Sequence, residues 1–78
     1  MPLIRRSRDP EKTVILDEQN GGDTLYIGEA RLGSDESGAV WRIKRLDKTG
    51  TVTSIQYANG SRRFNQVWDN RSSVTYSN

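Results

Sequence analysis

The stretch Thr51-Val52-Thr53-Ser54-Ile55-Gln56-Tyr57-Ala58, followed by Asn59-Gly60, decides the fold class. It is the clearest β-former in the chain, because β-branched and aromatic side chains suit a pleated, extended backbone. Asn-Gly is the dipeptide that most readily takes the positive φ angles of a tight hairpin turn. On the N-terminal side, Asp47-Lys48-Thr49-Gly50 has the length of a hairpin connection. Residues 39–46, with Val40, Trp41 and Ile43, read as the partner strand.

Further out the pattern repeats. Thr13-Val14-Ile15-Leu16 is a short β-rich run, and Asp17 to Asp23, with Asn20-Gly21-Gly22-Asp23 in it, reads as a turn or loop. Residues 24–30 (Thr-Leu-Tyr-Ile-Gly-Glu-Ala) form the next strand, in which Gly28 signals a bulge or a close backbone approach. Gly33-Ser34-Asp35-Glu36-Ser37-Gly38 is polar and Gly-bounded, a surface loop facing solvent. Ser73-Val74-Thr75-Tyr76 reads as a last short strand.

One stretch departs from this. Phe64, Val67, Trp68 and Arg71 stand at i, i+3, i+4 and i+7, the spacing of one helix face. It predicts one or two helical turns over 62–71, with Phe64 and Trp68 plugging an edge or open end of the sheet. The run is too short to be helical by itself.

The expectation is an all-β domain of four to five antiparallel strands. A single layer cannot bury enough apolar surface, so the sheet should curl into a small barrel or sandwich, or pack against a neighbour. Trp41 and Ile43 face one way and Val40 and Leu46 the other; Ile55 and Tyr57 oppose Val52. Such two-sided strands fit a curled sheet or a sheet with a partner on its second face. With about a dozen large apolar side chains in all, the count favours help from a partner.

Composition narrows the function. The chain has 78 residues, 32% of them hydrophobic, with a mean hydropathy of -0.83, enough for one thin-cored domain. It contains neither cysteine nor histidine, so disulfides, thiolate metal sites and the usual neutral-pH acid–base group are excluded. No apolar run is long enough for a membrane helix and no leader-like segment is seen, so no membrane partner is expected. Arg5, Arg6, Arg8 and Lys12 outweigh Asp9 and Glu11 by two, which accounts for the whole net charge of +2. Residues 1–12, with Pro2 and Pro10, therefore read as a charged arm, and 13–78 as a single β domain. Leu3, Ile4, Arg5, Arg6 and Arg8 are the candidate interface residues of that arm, a tether for an acidic partner or a nucleic-acid backbone. The alternative is a solvated tail.

No catalytic constellation emerges. Asp17 and Glu18 are adjacent and would face opposite sides of a strand. The remaining aspartates match no calcium-loop spacing, and no phosphate-binding glycine motif is present. The expectation is a protein without catalysis, cofactor, metal or small-molecule substrate. A nucleic-acid-binding barrel is a competing reading. Arg42, Lys44 and Arg45 share a strand with Trp41, and Arg62 and Arg63 follow a turn. Against it, the body is neutral and Tyr26, Trp41, Tyr57, Phe64 and Trp68 are needed as core anchors. Arg71 can bridge backbone carbonyls or pair with a carboxylate across an interface, and Asp69 can accept backbone N–H bonds in a turn.

The elements Thr24-Leu25-Tyr26-Ile27-Gly28-Glu29-Ala30, Ala39-Val40-Trp41-Arg42-Ile43-Lys44-Arg45, Tyr57-Ala58-Asn59-Gly60, Phe64-Asn65-Gln66-Val67-Trp68-Asp69-Asn70-Arg71 and Val74-Thr75-Tyr76-Ser77 together give a resemblance. Over residues 24–77 the chain resembles small, mostly uncharacterised proteins encoded by tailed bacteriophages and prophage-like regions. The resemblance implies a virion setting, with assembly in the host bacterial cytoplasm. It implies a structural role in head decoration, head–tail joining or the tail, with other virion proteins and copies of the same chain as partners. The runner-up is a small nucleic-acid-binding accessory protein, and a third reading is a regulator acting inside the infected cell.

Overall fold

The computed structural model describes residues 3–6 and 12–77. Its strands are β1 (Leu3–Arg6), β2 (Lys12–Gln19), β3 (Thr24–Arg31), β4 (Ala39–Thr49), β5 (Val52–Ala58), β6 (Gln66–Val67) and β7 (Tyr76–Ser77). All pairings are antiparallel. The order across the sheet is β1-β2-β3-β4-β5-β7, and β6 pairs with the start of β4, beyond the reach of β5. The all-β, hairpin-joined reading therefore holds. At the end of β5, Asn59 (φ 53) and Gly60 (φ 66) both take positive φ, and Ser61 N–H closes the turn onto the Ala58 carbonyl at 3.0 Å. That is the turn the Asn-Gly dipeptide favours.

The expected barrel or sandwich is not formed. The sheet is open and only mildly curved, and among the described residues no pairing joins β1 to β7. The reason lies in how one face is covered. Residues 59–77 fold back over the sheet, and Trp68 lies against β3. Ile15, Ala30, Trp41, Ile43, Ala58, Trp68 and Tyr76 form the buried core, with Trp41 0% and Trp68 2% exposed. Gly28, Ala30 and Ala58 leave room on the sheet for the two indole rings, whose centroids are 5.9 Å apart. A Cβ on Gly28 would stand 2.6 Å from Trp68 Cζ3. Gly28 thus marks a close approach, one of the two meanings its position allows. Large rings over small residues fill this layer, so the sheet need not close on itself to bury apolar surface.

The helical turns expected over 62–71 are also replaced. Gln66 and Val67 pair with Trp41 and Ala39 as β6, and only a single 3-10 turn, Trp68–Asn70, follows. An isolated ten-residue helix has too few hydrogen bonds to offset its nucleation cost, whereas the free start of β4 supplies strand partners directly. Phe64 consequently plugs nothing and is 52% exposed, while Trp68 is core. Among the described residues, strand pairing at the C-terminus is confined to Tyr76 and Ser77.

At the N-terminus, Leu3–Arg6 pairs with β2 from Leu3↔Glu18 to Arg6↔Ile15. Four residues of the segment read as an arm thus extend the sheet as an edge strand. Arg8 lies outside the described residues.

Candidate functional site

The two faces of the sheet differ. Every buried position of β2, β3 and β4 lies on the face under the C-terminal segment: Ile15 and Asp17, then Thr24, Gly28 and Ala30, then Trp41 and Ile43. The intervening side chains stand on the opposite face, which no element covers among the described residues. The register aligns them in rows. Leu16, Ile27, Lys44 and Tyr57 form one; Glu18, Leu25, Leu46 and Ile55 form the next. All are half-buried except Ile55, which is 53% exposed. Five aliphatic side chains in adjacent rows make a continuous apolar surface, bordered by Lys44 and Tyr57. Among the described residues Lys44 makes no ion pair.

Two side chains of this face, Tyr57 and Arg42, take part in cation–aromatic contacts. Arg62 stacks over Tyr57 at 5.4 Å from the ring centroid, and Arg42 over Phe64 at 4.8 Å. Arg42 also pairs with Glu29 at 3.1 Å, and Lys12 pairs with the same carboxylate at 3.2 Å. Burial alone would raise the Glu29 pKa; the hydrogen bonds from Lys12 and Arg42 outweigh it and hold the carboxyl below its ordinary value.

The covered face holds a polar cluster. Arg71 Nε donates to Asp17 Oδ2 at 2.8 Å, Gln19 Nε2 donates to both Asp17 oxygens, and Arg71 Nη1 donates to the Trp68 carbonyl. Tyr76 O–H donates to the Arg71 carbonyl at 2.6 Å, and burial pushes its phenol pKa well above the usual tyrosine range. Arg45 lies over the Tyr76 ring and donates to Gln56. These bonds are internal to one chain and pin the C-terminal segment to β2.

An open cleft of about 520 Å³ lies at the far end of β3, lined by Lys12, Ala30, Arg31, Ser34, Val40 and Phe64. Among the described residues its lining offers two cations, Lys12 and Arg31. Among the described residues, no three His, Cys, Asp or Glu side chains gather around a point that could hold a metal ion.

The residues singled out as anchors are divided between the faces. Tyr26, Trp41, Trp68 and Arg71 lie on the covered side, where Tyr26 packs against Tyr76 at 5.7 Å. Tyr57 and Phe64 lie outside the core. The expected basic set is split as well. Arg42 and Lys44 keep company with the open face, while Arg45 turns to the covered one and Trp41 is sealed, its Nε1–H donating to the Asp35 carbonyl. That bond, with Asp69 N–H on the Glu36 carbonyl, ties the loop after β3 to the core by its backbone. Arg71 meets a carboxylate of its own chain, Asp17. Asp17 was not foreseen as its partner, because strand β2 was expected to end at Leu16.

No family model matches the chain, and no match emerges among curated proteins or among solved structures.

Proposed function

We propose that this protein is a non-enzymatic structural subunit that docks onto a neighbouring subunit of a bacteriophage particle through the uncovered face of its sheet. The observation that carries the reading is the apolar surface of Leu16, Leu25, Ile27, Leu46 and Ile55 on that face. A thin core, seven buried hydrophobic residues among those described, on one side, with aliphatic rows left on the other, suits a protein completed by a neighbour. The phage setting rests on the sequence resemblance over residues 24–77; head decoration, head–tail joining and tail positions all remain within the proposal. The test is to purify particles made with wild-type protein or with Leu25→Glu/Leu46→Glu. Wild type should be present at a fixed copy ratio, and the variant, still folded by tryptophan fluorescence, should be missing. Wild type absent from particles, or the variant incorporated equally, would overturn the reading.

A second reading, a nucleic-acid-binding accessory protein, is favoured by Lys44 beside Tyr57 and by the arginines over Tyr57 and Phe64. Basic and aromatic groups side by side are the ingredients of a single-strand platform. Its mark would be retention of single-stranded DNA or RNA that falls steeply with salt and is lost in Arg42→Gln/Lys44→Gln/Arg62→Gln.

A further inference from the structure

The edges of the sheet differ as much as its faces. On the outer side of β5, β7 pairs only with Tyr57 and Ala58. Among the described residues, 52–56 have no strand partner other than β4, with which they run in unbroken register. Residues 52–55 are exposed and Gln56 is half-buried. An edge strand of this kind presents a row of unpaired N–H and C=O groups, a template for another strand. Proteins usually defend such edges with charge, proline or a bulge. The opposite edge carries Arg5 and Arg6 in β1. Val52-Thr53-Ser54-Ile55-Gln56 has none of these defences.

We propose that this edge of β5 pairs with the same edge of a second copy, antiparallel, about a two-fold axis at Ser54. The register follows from the bounds of the free run. The hairpin pair Thr49↔Val52 closes one end and β7 occupies the other at Tyr57, so Ser54 is the midpoint. A dyad there sets Ser54 opposite Ser54, Thr53 opposite Ile55 and Val52 opposite Gln56. Every pair is uncharged, two of the three include a β-branched side chain, and none sets like charges together. Sliding the pairing two residues toward the C-terminus would run it into β7. The identical edge of a second copy matches this run at every position, and one pairing removes both open edges at once, as a closed isologous dimer requires. A dyad perpendicular to the sheet also keeps the covered faces of both copies on the same side. The rows ending in Ile55 then join into one broad surface. The inference rests on the edge and not on the docking face, so either can fail without the other.

The experiment is light scattering after size exclusion over a concentration series, with Ser54→Lys and Ser54→Glu. Ser54 is exposed, so either charge is tolerated in the folded chain, and buried-tryptophan fluorescence confirms folding. Wild type should move from the mass of one chain, 8.8 kDa, to twice that mass as concentration rises. Each variant alone should stay monomeric, because two like charges meet at the dyad. An equimolar mixture of the two should recover the dimer. Three outcomes would overturn the proposal: a wild type that is monomeric up to its solubility limit, a dimer indifferent to both substitutions, or variants that do not complement on mixing. A wild-type monomer that still enters particles would remove this proposal and leave the docking face standing. Loss of self-association in Leu25→Glu/Leu46→Glu but not in Ser54→Lys would place the contact on the face and overturn the edge.

Discussion

Arg71 and Asp17, 54 residues apart in sequence, meet at 2.8 Å through Nε and Oδ2. Asp17 is 1% exposed, and both its oxygens also accept from the Gln19 side-chain amide, at 2.9 and 3.0 Å. The guanidinium also donates to the Trp68 carbonyl and lies 4.5 Å from the Trp68 ring centroid. One side chain thus ties the 3-10 turn that carries Trp68 to the second strand of the sheet. The covered face stays covered because this charged contact and the indole packing act on the same turn.

Removing the two partners should therefore have unequal effects. Arg71→Ala leaves a buried carboxylate with only Gln19 to serve it, and should cost about 3 to 5 kcal/mol. Asp17→Asn keeps the shape and removes the charge, and Arg71, partly exposed, retains the Trp68 carbonyl and its ring. It should cost less, and the double variant should cost less than the two single effects added. Urea unfolding of the three variants measures this. Equal, small effects would mean that the pair contributes little.

Gly28→Ala should be costly although it adds a single methyl group. That carbon would sit 2.6 Å from Trp68 Cζ3 and 3.2 Å from Trp41 Cε3, so an indole ring must move. Overpacking of this kind costs about 1 to 3 kcal/mol. Trp68→Phe in the same chain frees space where the methyl stands, so the double variant should recover part of the Gly28→Ala loss. A neutral Gly28→Ala would show that Trp68 does not rest on β3.

These two contacts also show what could be read from sequence. Strand type came from local chemistry: β-branched runs and the Asn59-Gly60 turn act over neighbouring residues, and the structure places strands and turn there. Gly28 was legible as a bulge or a close approach, because a glycine inside a strand has few other uses. What lay over it was not legible, since Trp68 is 40 residues away and its spacing with Phe64 mimicked a helix face. The open sheet was missed for a related reason. Whether a sheet closes depends on what covers it, and the cover is a C-terminal segment held by the long-range Asp17–Arg71 pair. At the candidate site, the apolar rows on the second face were foreshadowed by the two-sided pattern of β4 and β5, whereas the open edge of β5 depends on where β7 stops.

Lowering the pH should release Glu29 from its two cations. Lys12 and Arg42 hold its folded pKa below the ordinary 4.5. A depressed folded pKa means stability that is present above the unfolded value and lost as pH falls through the folded one. Wild type should exceed Glu29→Gln in stability near neutrality, by at most about 1 kcal/mol given the exposure of both cations. The gap should close on going well below pH 4.5. Denaturant unfolding at the two pH values measures it, and a gap that is independent of pH would exclude the ion pairs as its source.

Tyr76 should behave in the opposite sense at alkaline pH. Burial, aided by neighbouring Tyr26, raises its phenol above the ordinary value of 10.0 against the opposing pull of Arg45 and Arg71. Its O–H donates to the Arg71 carbonyl, a bond that the phenolate cannot make. A raised folded pKa means that the stabilisation is complete below the unfolded value and lost as pH rises through the folded one. In a spectrophotometric titration of the three tyrosines, one should therefore lag, ionising only well above pH 10 or together with unfolding. Tyr76→Phe should remove the lagging component and flatten the alkaline fall in stability, at the cost of leaving the Arg71 carbonyl without that donor. Three tyrosines titrating together near the ordinary value in folded protein would mean that Tyr76 is open to water and that β7 does not seal the C-terminal end of the core.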